Sequence, residues 1–221
     1  MPDLSFRVEN AETVQFAAAP AIDFHLRIDN SPATELIHTV ALRCQIQMEV
    51  TRRRYTPEEQ KHLLDLFGEP GRWSQTLRSM LWTNTSMVIS SFQGGTIAKM
   101  QVPCTFDFNV AATKYFHGLE DGDVPLCLMF SGTVFYADEA GAMQVAPISW
   151  DKETRFRLPV RVWKEMMDRY YPNSAWVNVR RDVFDRLQQY KMNHSLPGWE
   201  QTLERLLDQA ELKESEALVA S

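Results

Sequence analysis

The stretch that most constrains this chain is residues 124–136, VPLCLMFSGTVFY, because both of its alternating faces are apolar. Val124, Leu126, Leu128, Phe130 and Val134 share one parity, and Cys127, Met129 and Phe135 share the other. Successive side chains of a strand point to opposite faces, so this strand needs cover on both sides and belongs inside a sheet. One cover is expected to be a second sheet, the other helices.

The segments before it carry a strand period. Leu4, Phe6 and Val8 alternate with polar residues, Val14 and Phe16 resume the pattern, and Ile22, Phe24, Leu26 and Ile28 alternate with Asp23, His25, Arg27 and Asp29. Over residues 37–50, Val40, Leu42, Cys44, Ile46, Met48 and Val50 oppose Arg43, Gln45, Gln47 and Glu49. That parity puts Cys44 in the core and His25 on a wet face. Then the period changes. Thr56-Pro57-Glu58-Glu59 is a capping box with proline at the first helical position, Gly68 is a stop, and Trp73, Leu77, Met80 and Leu81 recur at helical spacing. A helical hairpin over 56–82 is therefore expected, inserted between strands and closing one end of a sheet pair.

Residues 83–92 and 96–108 flank Gln93-Gly94-Gly95 and read as a hairpin, its second strand burying Cys104, Phe106 and Phe108. Residues 111–118 read as a strand followed by a turn or two of helix. After the central strand, residues 138–141 turn the chain back into Met143, Val145 and Ile148. Seven to eight strands joined mostly by tight turns predict the α+β class: an antiparallel β-sandwich over 1–150 with the helical insertion. Beyond Asp151 the stripes are helical: Val162, Trp163, Met166, Met167 and Tyr170, then Val183, Phe184, Leu187 and Tyr190, then Trp199, Leu203, Leu206, Leu207 and Ala210. These predict a helical region over 151–213 packed on the sandwich, and a flexible tail over 214–221.

Charge and cysteine usage narrow the function classes. With 23 basic and 29 acidic residues the formal charge is -6, which opposes general attraction to nucleic acid or an anionic membrane. No window approaches the ~18 apolar residues of a membrane span. The opening MPDLSFRVEN lacks the pattern of a secretory leader, so a cytoplasmic protein is expected. Cys44, Cys104 and Cys127 are odd in number and form no CxxC pair, which fits a reducing compartment.

Three clusters carry chemistry worth testing. His117, Glu120, Asp121 and Asp123 fall within seven residues, a density of oxygen and nitrogen donors that suits a metal or acid-base site, or simply a solvated acidic turn. Arg52, Arg53 and Arg54, with Arg72 and Arg78 on the insertion, suit phosphate or an acidic protein surface. Trp163, Trp176 and Trp199, together with Trp150, crowd the last third and are candidate partner contacts. A thiol-imidazole site from the cysteines with His25, His38 and His117 is opposed by the core parity of Cys44 and Cys104. There is no nucleophile elbow, P-loop, dinucleotide fingerprint or HExxH helix, so no catalytic residue is nominated and no cofactor is expected.

The stretches LIHTVALRCQIQMEVTRRRYTPEEQKHLLDLFGEPGRW, TLRSMLWTNTSMVISSFQG and VPCTFDFNVAATKYFHGLEDGDVPLCLMFSGTVFY, with the closing WEQTLERLL, resemble an uncharacterised family of bacterial and archaeal proteins. Members of that family are often encoded beside nickel-iron hydrogenase genes. The resemblance thus implies an accessory or assembly role, with a hydrogenase subunit or maturation factor as partner, and it brings no catalytic residues. The expectation is a non-enzymatic protein that works by binding another protein. The alternatives are a metal-binding protein or enzyme using the 117–123 loop, and a small-molecule carrier with a pocket between sheet and helices. Oligomeric state is left open by the sequence.

Overall fold

Two sheets face each other in a computed structural model that describes residues 1–105, 109–138, 140–174 and 177–219. The strands are β1 (Asp3–Thr13), β2 (Ala21–Ser31), β3 (Leu36–Met48), β4 (Met80–Ile89), β5 (Phe92–Gln93), β6 (Gly95–Pro103), β7 (Asp123–Ala137), β8 (Met143–Pro147) and β9 (Glu153–Pro159). The smaller sheet has the order β1-β2-β6, and the larger β4-β3-β7-β8, with β5 beside β3 and β9 beside β7. All pairings are antiparallel. The helices are α1 (Pro57–His62), α2 (Leu64–Phe67), α3 (Trp73–Thr76), α4 (Val110–Gly118), α5 (Val160–Tyr170), α6 (Arg181–Asn193) and α7 (Trp199–Val219). The chain divides into two compact units, Met1–Ser174 and Ala175–Ser221. No helix among the described residues is long and apolar enough to cross a membrane.

The doubly apolar strand lies mid-sheet, as its sequence requires. β7 pairs with β3 along one side, while β9 takes the first half of its other side and β8 the second half. Val124, Leu126, Leu128, Phe130 and Val134 are buried between the sheets, facing Ile22, Phe24, Leu26 and Ile28 of the smaller sheet across a continuous core. Gly132 has a φ of +144°, and a Cβ there would stand 2.0 Å from the Ala41 carbonyl oxygen, so only glycine lets β3 and β7 approach so closely. Both sides of the sandwich are closed, because β1 lies against β9 and β4 against β6.

The second cover of β7 differs from the expectation of helices. Within the first unit, α4 packs on α1, α2 and α5, while α5 packs on β1, β2 and β9. They plug one end of the sandwich through a run of ring contacts. Phe116 stacks on Trp163 at 5.1 Å, Trp82 lies against both Phe24 and Phe116, and Tyr115 meets Tyr55 and Phe67. The outward parity of β7 is covered only in part: Cys127 is buried, Met129 and Phe135 half-buried.

Several boundaries move. The second helix of the insertion stops at Thr76, and Met80 and Leu81 pair with Met48 and Gln47 as the start of β4. Ladder hydrogen bonding there overrides a weak helical spacing. The first helix breaks at Leu63 into α1 and α2. Gln93-Gly94-Gly95 makes a turn, but it carries the chain from one sheet to the other: β4 pairs with β3, and β6 with β2. Residues 110–118 are all helix, capped by Asn109, whose Oδ1 accepts from the Ala112 amide at 2.9 Å. Phe106 and Phe108 lie outside the described residues. Residues 153–159 form a strand, and the β-rich unit runs to 174 rather than 150. Phe16 is not in a strand: a bulge between Val8 and Asn10 shifts the parity of β1 to bury Ala11, and Phe16 sits exposed in the following turn with φ 59°. Residues 214–219 continue α7.

Candidate functional site

Two clusters whose contacts span 61 or more residues of sequence meet in space. Arg53 follows the 3-10 turn Val50–Arg52, and Thr56 caps α1 next to it. The capping box forms in full, the Glu59 amide donating to Thr56 Oγ1 at 3.2 Å and the Thr56 amide to Glu59 Oε2 at 3.0 Å. The other carboxylate oxygen of Glu59 accepts from Arg53 Nη2 at 2.5 Å and from the Glu120 amide at 2.9 Å. Arg53 also donates to the carbonyls of Asp121 at 2.6 Å and Asp123 at 2.7 Å. With side-chain exposures of 8% and 2%, Arg53 and Glu59 form a buried pair that clamps the acidic loop to the arginine turn.

Such a pair is retained for geometry more than for its own attraction, since both charges leave water. Gly122 adopts φ +79° beside the guanidinium, which lets the loop turn close over it. Arg53 is therefore committed to holding the loop in place. Around it lies an open hollow of about 490 Å³, bordered by Arg52, Arg54, Glu120, Asp123 and Arg157. Its charges are mostly spent on one another. Arg52 pairs with Glu49 at 3.3 Å, Arg157 with Asp123 at 3.3 Å, and Thr56 donates to Glu120 at 3.0 Å. Arg54 is exposed and has no ion pair among the described residues, while Arg72 stands on the insertion, outside this hollow. Within the triplet, Arg53 is taken up by the clamp, while Arg52 and Arg54 stay exposed at the hollow's border.

His117 turns away from the acidic loop. Its ring stands edge-on to Trp163 at 4.8 Å, and burial together with the Lys164 ammonium lowers its pKa, with Asp168 opposing. His117, Glu120, Asp121 and Asp123 thus do not converge, and among the described residues no group of three His, Cys, Asp or Glu side chains is placed to hold a metal ion. The three cysteines are free and buried, Cys44 and Cys104 in the core and Cys127 on the outward side of β7, and burial pushes Cys44 and Cys104 up to about 12.

The late tryptophans separate. Trp163, 2% exposed, belongs to the aromatic plug and touches no solvent-facing partner surface. Its helical stripe was visible in sequence, but not that it faces the core of the sandwich. Trp176 lies outside the described residues. Trp199 is part-exposed on α7, packed against Phe184 at 5.1 Å.

The surface that sequence reasoning overlooked is the outer face of the larger sheet. Along β3, from Gln47 to Thr39, the outward rows are Leu81–Gln47–Cys127, then Asn84–Gln45–Met129, then Ser86–Arg43–Ser131, then Val88–Ala41–Thr133–Pro147, and finally Thr39–Phe135–Val145. Arg43 is the one charged side chain in these rows on β4, β3, β7 and β8. Val88 is 73% and Val145 61% exposed, with Met143 exposed beside Val145 on β8. Glu153 and Arg155 of β9 form a charged border at the corner by Cys127. The signal was present as Gln45, Gln47, Asn84 and Ser86, uncharged residues at outward parity.

A sequence model for a family described as "Family of unknown function (DUF6084)" matches residues 1–215. Among solved structures, the chain is similar to a Bordetella pertussis protein described as an ApaA protein, at 12% identity over 71% of this chain and 94% of that one, with a TM-score of 0.27. A likeness at that level carries no weight for fold or function. No curated protein matches the sequence.

Proposed function

The chain belongs to that family of unknown function, and we propose that it is a non-enzymatic accessory or assembly protein that acts by binding another protein. The observation that carries this reading is the outer face of the larger sheet, where one charge, Arg43, stands among uncharged polar and exposed aliphatic residues. In a chain with 24% charged residues, that depletion is what the desolvated centre of a protein interface requires. Val88, Met143 and Val145 supply the apolar anchors, and Glu153 and Arg155 a polar rim. The arginine turn is no part of this surface.

The family resemblance directs the search for the partner to a nickel-iron hydrogenase subunit or a maturation factor, in the cytoplasm. The test is a binding titration of the purified chain against purified hydrogenase subunits and maturation factors, repeated with Val88→Lys/Val145→Glu. Binding by one of them that the double variant abolishes supports the reading. No binding by any of them overturns the hydrogenase assignment, and binding that the variant leaves unchanged overturns the face.

A further inference from the structure

Arg43 stands in the middle row of the sheet face, on β3, with Ser86 of β4 and Ser131 of β7 directly opposite on either side. Ala41 and Gln45 are its neighbours along the strand, and the diagonal positions carry no charge either. Arg43, Ser86 and Ser131 are exposed, and among the described residues none of these side chains has an ion pair or a hydrogen bond. The acid of the adjoining row, Glu153, pairs with Arg155 at 3.1 Å instead. On the smaller sheet the chain does otherwise: Arg7, Arg27 and Lys99 each have a carboxylate within 3.3 Å. One sheet supplies counter-ions to its outward cations, and the other supplies none to its single one.

Water solvates an exposed guanidinium, but a partner that covers the face takes that water away. A charge left unpaired beneath an interface weakens binding steeply. The group that matches a guanidinium best is a carboxylate, whose two oxygens fit its planar fork. The register adds further donors. With Cβ atoms about 5 Å to either side of that of Arg43, the Ser86 and Ser131 hydroxyls flank the fork and can donate to the same oxygens.

We infer that the partner of this face is a protein surface that sets an aspartate or glutamate on Arg43, between Ser86 and Ser131, and is otherwise uncharged where it meets the rows. The inference rests on the reading of the face as a docking surface, and it adds the chemistry of the partner. Charge argues against other occupants. A second copy laid face to face on a twofold through the middle row sets Arg43 against Arg43. A lone cation in a chain of formal charge -6 does not hold nucleic acid or an anionic membrane. A free carboxylate touches a flat sheet from one side only and leaves the exposed Val88 and Val145 uncovered, whereas a protein surface covers all of them.

Any protein that covers the middle row must meet the same demand, so the test covers the face with surfaces of known sequence. Single-domain antibody fragments are selected from a displayed library on the full chain and counter-selected on Val88→Lys/Val145→Glu, so that the survivors bind this face. They are expected to share an aspartate or glutamate at the centre of the paratope. Arg43→Gln should weaken their binding about thirtyfold or more. Replacing the shared acid by its amide should weaken binding to the parent chain equally and cost nothing further on the Arg43→Gln chain, the signature of a direct pair. Circular dichroism of Arg43→Gln should match that of the parent, because the side chain is exposed. Survivors indifferent to Arg43→Gln overturn the inference and leave the face standing as a docking surface. The absence of any survivor removes the face as a docking surface, and the inference falls with the reading beneath it.

Discussion

The outer faces of the two sheets handle charge in opposite ways. On the smaller sheet, His25 and Lys99 both reach Glu12, at 2.8 and 3.3 Å, and Arg27 pairs with Asp29 at 2.8 Å. Its outward side chains satisfy one another and face water without cost. The larger sheet, one core thickness away, sets Arg43 among glutamines, serines and exposed valines. Both strands sets alternate equally well inward, so folding alone does not explain the contrast. What differs is the medium each face is suited to: water for one, a second protein surface for the other.

Substitutions can break or sharpen that contrast. The largest effect is expected away from both faces, at the one charge pair that is buried among the described residues. Glu59→Ala leaves Arg53 without its counter-charge and frees the Glu120 amide, so urea unfolding should show a loss of about 3–5 kcal/mol. A loss no larger than that of an exposed pair would mean that the clamp does not organise the loop. Next comes Gly132→Ala, which forces a Cβ against the Ala41 carbonyl in the middle of the larger sheet. About 2–3 kcal/mol should be lost, with partner binding impaired because the face itself is distorted.

Val88→Lys/Val145→Glu puts charge on the uncharged face without touching the core. Stability should stay within about 0.5 kcal/mol while partner affinity falls about tenfold or more, a separation that calorimetry and a binding titration would resolve. Equal losses in both would erase the distinction between the faces. The smallest effect belongs to Glu12→Gln on the charged face, where neutral-pH melting should fall only slightly, as for an exposed pair. Its hydrogen bonds with His25 and Lys99 hold the Glu12 carboxyl below the usual carboxylate range. The unfolded chain therefore takes up that proton first, so the stabilisation present above the ordinary glutamate pKa is lost as the pH falls through the lower folded value. The variant should lack this acid-side component in pH-dependent melting curves.

Much of the fold was legible because inward parity is a local property. Val40, Leu42, Cys44, Ile46 and Met48 read as buried from sequence and are buried, and Thr56 and Glu59 announced their capping box. The same residue shows where legibility stops. Glu59 looked like a local cap, and its pairing with Arg53 and hold on Glu120 depend on a loop brought 61 residues along the chain. Outward parity fails in a similar way. Gln45 read as facing out and Met129 as lying on the second apolar face of β7, but with Asn84 they become one surface only through strand register, which the hydrophobic pattern sets for the buried side. The arginine triplet shows the complementary case: Arg53 meets carbonyls of a loop that lies 68 and 70 residues further along the chain.

The contact between β1 and β9 has a consequence for how the chain is made. The first strand of this unit cannot complete its surroundings until one of the unit's last strands follows, and Lys152 reaches back 149 residues to Asp3. Until β9 follows, the first half of β7 lacks the strand that pairs along that edge. Closure of this unit therefore belongs late in synthesis, with slow folding set by distant contacts and a window in which a chaperone would find its binding edge.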